Sequence, residues 1–83
     1  AIARQIKNQN SEGIILGKLA VSYVYRGIDV KAVSYQTESL AILEKIKGRQ
    51  GASAVLSALG RAYSEVGNYD AAIAFLEQEL VIN

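Results

Sequence analysis

Cysteine and histidine are both absent from the chain. Without cysteine there is no disulfide frame, no thiolate nucleophile and no cysteine-ligated zinc. Without histidine the usual general base and the commonest metal ligand are missing. There is no proline either, so nothing of that kind interrupts a helical period or builds a stiff linker. Charge of one sign is also lacking: the net charge is +1 and no block of like charges occurs. That balance argues against nucleic acid or an anionic membrane as the main partner. No apolar run approaches the roughly 20 residues that span a bilayer. The opening AIARQIKNQN is polar, and no signal peptide is expected in it. The compartment expected from these absences is cytoplasmic. The first residue is not methionine, and the chain is expected to be an excised or processed piece.

What is present is hydrophobic periodicity. Eighty-three residues make at most one small domain, and half of them are apolar. Comparing each position with the one forty residues later reveals an internal repeat. Ala1, Ile2, Ile6 and Lys7 recur as Ala41, Ile42, Ile46 and Lys47. Leu16, Leu19, Tyr23 and Gly27 recur as Leu56, Leu59, Tyr63 and Gly67. Ala32, Leu40 and Ile42 recur as Ala72, Leu80 and Ile82. The middle set falls on one face of a helix of 3.6-residue period.

The repeat divides the chain into helices. Residues 1–8 read as the tail of a preceding helix, closed at Asn8. Ser11 is the expected N-cap of a helix running to Arg26. Gly27 breaks it, and Asp29 is the expected cap of a second helix reaching about Lys47. Asn8 and Gly48 are expected to take the left-handed conformation that ends helices. A third helix runs from near Gly51 to about Val66. After Gly67 and Asn68, the latter a good cap, a fourth runs from Tyr69 to the end. Ala20, Gly60, Ala32 and Ala72 are small, which allows paired helices to approach closely. A large side chain at Gly60 or Ala72 is expected to overpack that contact.

The run L-G-x-x-Y at Leu59–Tyr63, followed by G-N-Y-D-x-A-I at Gly67–Ile73, resembles the tetratricopeptide repeat. The forty-residue spacing and the segment Leu40–Tyr63 look most like the longer variant of kinesin light chains and bacterial arrays. The resemblance implies an all-α fold. It is an α-solenoid of antiparallel helix pairs in about five helical segments, stacked in a right-handed superhelix. The division is one domain over 1–83, with repeat one at 11–47 and repeat two at 51–83. Where members of the longer variant carry peptide-gripping asparagines, this chain has Lys18, Val21, Ala58 and Arg61. The late small position of the second helix is Ser39 in repeat one and Glu79 in repeat two. A carboxylate there would sit badly beneath a following repeat.

The implied function is a protein–protein interaction module that holds a peptide or helix of a partner protein, as part of a longer array. Self-assembly through exposed repeat ends or helix exchange, giving a homo-oligomer, is the alternative. The expected groove is lined by Ile14, Gly17, Val21, Val24 and Tyr25 in repeat one. In repeat two it is lined by Ala54, Ser57, Arg61, Ser64 and Glu65. The partner would anchor on Val21, Val24 and Tyr25, with Arg61 taking a carboxylate or carbonyl. Equally, Val21, Val24 and Tyr25 could pack on a neighbouring repeat, because GIILGKLAVSYVY is apolar almost all round. Arg61 and Glu65, four apart, could form an ordinary surface ion pair. Lys45, Lys47 and Arg49 read as a solvated helix end and linker. No enzyme is expected: Glu77 and Glu79 diverge on their helix, the glycines lack phosphate-loop spacing, and no nucleophile is activated. No catalytic residue, metal site or cofactor is assigned.

Overall fold

A computed structural model of the chain describes residues 2–82, with side-chain surroundings from Asn8 to Ile82. The surroundings of the expected recurring residues Ala1, Ile2, Ile6 and Lys7 therefore lie outside the described residues. Four helices follow one another: α1 Ile2–Arg26, α2 Asp29–Lys45, α3 Arg49–Glu65 and α4 Tyr69–Ile82. The fold is all-α. No described helix is long and apolar enough to cross a membrane.

Among the described residues the number of helical segments is four rather than five. The expected break at Asn8 and restart at Ser11 are not observed, because α1 runs unbroken through them. Asn8, Gln9, Asn10 and Ser11 are only mildly unfavourable inside a helix, so packing decides. That packing is visible at Asn10: a methyl group built on Gly48 or Gly51 would lie 3.2 or 3.1 Å from its Oδ1. The start of α3 thus rests on the segment expected to be a loop.

The three turns share one hydrogen-bond pattern, repeated every twenty residues. Ile28, Gly48 and Asn68 donate their amides to Tyr23, Leu43 and Tyr63 carbonyls at 3.0, 2.8 and 2.8 Å. The residue before each is left-handed, with φ of 75° at Gly27, 56° at Lys47 and 88° at Gly67. This closes the orphan carbonyls of each helix end. Two expectations change here. The left-handed residue of the middle turn is Lys47, not Gly48, which instead caps α3 with φ −80°. The cap of α2 is Ile28, without a side-chain hydrogen bond, and Asp29 is the first helical residue. Asn68 does cap as expected: its Oδ1 accepts from the Ala71 amide at 3.3 Å.

α3 is the centre of the packing. It lies against α1, α2 and α4, whereas α4 touches only α3. Its Val55, Leu56, Leu59, Ala62 and Tyr63 are all buried and form one cluster with Ala20, Val24, Ala32 and Leu43. Each helix pair carries the same ring stack: Tyr23 on Tyr35 at 5.6 Å and Tyr63 on Phe75 at 5.4 Å between centroids. The corresponding members of the two stacks are forty positions apart, so the internal repeat is a repeat in space. The pairs differ in exposure. Leu59 is 0% exposed, and its counterpart Leu19 is 40% exposed; among the described residues α1 lies against α2 and α3 only.

Candidate partner-binding site

α1 and α3 lie side by side, so residues forty apart become neighbours. Tyr25 and Glu65 are such a pair, and the Tyr25 hydroxyl donates to Glu65 Oε1. That hydrogen bond, ahead of desolvation and the Glu65 charge, raises the Tyr25 phenol above its ordinary value of 10.0. The Arg61 charge pulls the other way, which places the guanidinium within electrostatic reach of Tyr25. Glu65 thus bonds to the neighbouring helix through one carboxylate oxygen, with Arg61 four residues before it on its own helix.

An open trough of about 580 Å³ lies at this junction. Val21 and Tyr25 of α1 form one wall; Ala54, Ser57, Ala58, Arg61 and Glu65 of α3 form the other. Val21 is half-buried and packs on the core, so it offers an apolar edge that cannot swing away. The side chains between Val21 and Arg61 are small, leaving room for a backbone or a slim helix. Arg61 is the one basic side chain lining this trough.

The expected groove residues separate into four groups. Val21, Tyr25, Ser57, Arg61 and Glu65 come together in the trough, with Ala54. Ile14 lies in a second depression near the start of α3, where Ala54 again forms part of the wall. Gly17 and Val24 do not line a groove, which corrects the expectation. Val24 is 2% exposed and belongs to the core. At Gly17 a methyl group would stand 2.6 Å from Val55 Cγ2, so the absent side chain is what admits α3. For these two, burial against the next pair is the outcome. Ser64 is exposed beyond the trough lining.

Ala58 also lines the trough; in the sequence it stood out only as one of the positions where longer-variant members carry asparagines, not as a groove residue. A second missed set surrounds Glu79. Its Oε2 accepts from Ser53 Oγ at 3.0 Å. The equivalent positions in the first pair are Gly13 and Ser39, where Ser39 Oγ donates to the Gly13 carbonyl at 2.5 Å with Ser39 wholly buried. Glu79 is only half-buried and lies beside an open notch lined also by Arg49, Gln50, Ser53 and Ser57. Among the described residues, no group of three or more aspartates and glutamates converges to hold a metal ion.

Antiparallel helix pairs closed by identical turns, stacked so that the first helices of successive pairs share a surface, define an α-helical repeat protein. Its sequence agrees with one such family in particular. The model of the tetratricopeptide repeat matches residues 11–80, and the chain belongs to that family. The family is a helical scaffold that generally mediates protein–protein interaction. No curated protein and no solved structure gives a significant match.

Proposed function

We propose that this chain is a docking module that holds a peptide or helix of a partner protein in the trough between α1 and α3. The supporting observation is the placement of Val21 and Arg61 on facing walls of one open concavity. Val21 supplies an apolar contact and Arg61 a fork of donors for a carboxylate or a backbone carbonyl. The two-repeat division, 11–47 and 51–83, is part of the same reading. Partner capture compared among wild type, Val21→Glu and Arg61→Glu tests it. Both substitutions should reduce recovery of the same partner; unchanged recovery in both removes the trough from consideration.

A second reading is self-assembly. Ile15 is 57% and Leu19 40% exposed, while their counterparts Val55 and Leu59 are 4% and 0% exposed. The outer stripe of α1 thus has the character of a face that a helix pair covers elsewhere in the molecule. Molar mass by light scattering across a concentration series separates the readings. A concentration-dependent dimer that Leu19→Glu dissolves supports self-assembly, and a monomer throughout excludes it.

A further inference from the structure

The net charge of +1 conceals a separation of charge along the stack. α1 carries four basic residues and one acidic, Glu12. α4 carries Asp70, Glu77 and Glu79 and no basic residue. Among the described residues these two helices make no contact, and α4 packs on α3 alone. Each also presents an exposed apolar stripe. On α4, Tyr69, Ile73, Leu76 and Leu80 are spaced four, three and four apart and so form one line; Leu76 is the least exposed at 45% and Leu80 the most at 77%. On α1, Ile15 and Leu19 lie one turn apart, about 160° round the helix from Gly17, where α3 packs.

The junction between the two pairs shows that such surfaces meet. Forty positions on from Ile15 and Leu19 are Val55 and Leu59, which α3 buries in the core. Forty positions back from Leu76 and Leu80 are Gln36 and Leu40 of α2. Gln36 accepts the Tyr63 hydroxyl of α3 at 3.3 Å, and Leu40 packs on the cluster that holds Val55 and Leu59. The molecule thus contains one such junction and presents its two halves again at its ends. The register differs at the second seat. Ser57 stands where the first pair has Gly17, the gap that Val55 enters. A second helix is therefore set off α3 and onto α4.

The carboxylates of α4 favour a basic helix there. Asp70 and Glu77 are exposed and run along one flank of the stripe, about 140–160° round the helix from buried Ala72 and Phe75. They therefore face away from α3, whose Arg61 lines the trough and whose Arg49 lines the notch beside Glu79. Beside the α1 stripe stand Lys18, Arg26 and, one turn before Ile15, Glu12, all exposed. Lys18 and Arg26 are about 12 Å apart along the axis, and Asp70 and Glu77 about 10.5 Å.

We propose that a second copy of the chain docks the Ile15–Leu19 stripe of its α1 on the α4 stripe, with Lys18 and Arg26 beside Asp70 and Glu77. This rests on the self-assembly reading above and specifies its interface. Pairing of two α4 stripes would set acid against acid, and pairing of two α1 stripes base against base. The contact is therefore head-to-tail, and every open assembly keeps one free surface of each kind.

The test is sedimentation equilibrium of the chain, of Leu19→Glu and of the double variant Asp70→Lys/Glu77→Lys. The substituted side chains are all exposed. A single helix-on-helix contact is at the small end of specific interfaces, so the series extends to about 1 mM. Wild type should associate past the dimer, and each variant alone at least tenfold more weakly. An equimolar mixture of the two variants should form a one-to-one dimer that grows no further, because it retains one intact surface of each kind. A wild-type dimer that Leu19→Glu dissolves and the double variant leaves intact overturns the α4 interface, while the self-assembly reading stands. A mixture that stays monomeric also overturns it. A wild-type monomer throughout removes both.

Discussion

Gly17→Ala probes the contact that brings α1 and α3 together. The added Cβ would lie 2.6 Å from Val55 Cγ2, against an ordinary carbon–carbon contact of about 3.5–4.0 Å. The overlap is thus on the order of 1 Å. Val55 is 4% exposed and β-branched, so its rotamer choices are few and its neighbours are fixed. Relief has to come from moving α1 off α3, and overpacking of this kind costs about 1–3 kcal/mol. Alanine is intrinsically better than glycine in a helix by about 1 kcal/mol, which offsets part of that cost. The net expectation is destabilisation by up to about 2 kcal/mol, read by urea unfolding followed with far-UV circular dichroism. Val55→Ala alone removes two buried methyl groups, worth about 0.8 kcal/mol each, plus a cavity. In the double variant the alanine at 17 should fit the space vacated at 55, so the combined loss should be at least 0.5 kcal/mol smaller than the sum of the single losses. A Gly17→Ala protein as stable as wild type, with additive behaviour in the double variant, would refute the close approach.

Gly60→Ala should behave oppositely, at neutral to about 1 kcal/mol more stable. Its Cβ meets Leu76 at 3.0 Å, and that side chain is 45% exposed and free to shift. Gly60→Leu should still overpack, which the unfolding midpoint checks. Lys47→Gly should stabilise by about 0.5–1 kcal/mol by relieving the left-handed lysine, and Gly27→Ala should cost about 1–2 kcal/mol for the converse reason. Burial, reinforced by the Asp29 charge, raises the Tyr63 phenol above 10.0 in the folded chain. Its contribution to stability is therefore complete below pH 10 and is lost as pH rises above it, because the unfolded chain releases that proton first. Tyr63→Phe removes the donor to Gln36 Oε1 at 3.3 Å and should lose about 0.5–1 kcal/mol at neutral pH, with a shallower decline above pH 10 in alkaline unfolding curves.

The residues that recur forty positions apart in the sequence proved to be those that make the same contact twice. Tyr23, Tyr35, Tyr63 and Phe75 form the two ring stacks, and Gly27 and Gly67 the two left-handed turns. Local physics suffices for these, because each contact lies within one helix pair. What depended on the neighbouring pair was only partly legible. Packing on a neighbouring repeat was one of two readings for Val24, which is buried, whereas Gly17 looks like a groove residue until Val55 arrives. The continuity of α1 through Asn10 has the same origin, since Gly48 and Gly51 reach it from forty residues away. In the trough the side chains were largely legible but their partners were not. Arg61 and Glu65 have the spacing of an ion pair, and the hydrogen bond from Tyr25 to Glu65 follows only from the lateral placement of α1 against α3. Glu79 was recognised as an oddity, but Ser53 as its donor follows only from the packing of α4 on α3.

The account stands on the lateral stacking of α1 and α3, since the trough exists only where those helices meet. A methyl-detected NOE measurement on the chain examines that contact directly. Strong cross-peaks are expected between the Val55 methyl protons and the Gly17 Hα, together with cross-peaks from the Tyr25 ring to the side chains of Glu65 and Arg61. Val55 methyls that see only α2 and α4, with the Tyr25 ring isolated from α3, would contradict the stacking and remove the trough with it.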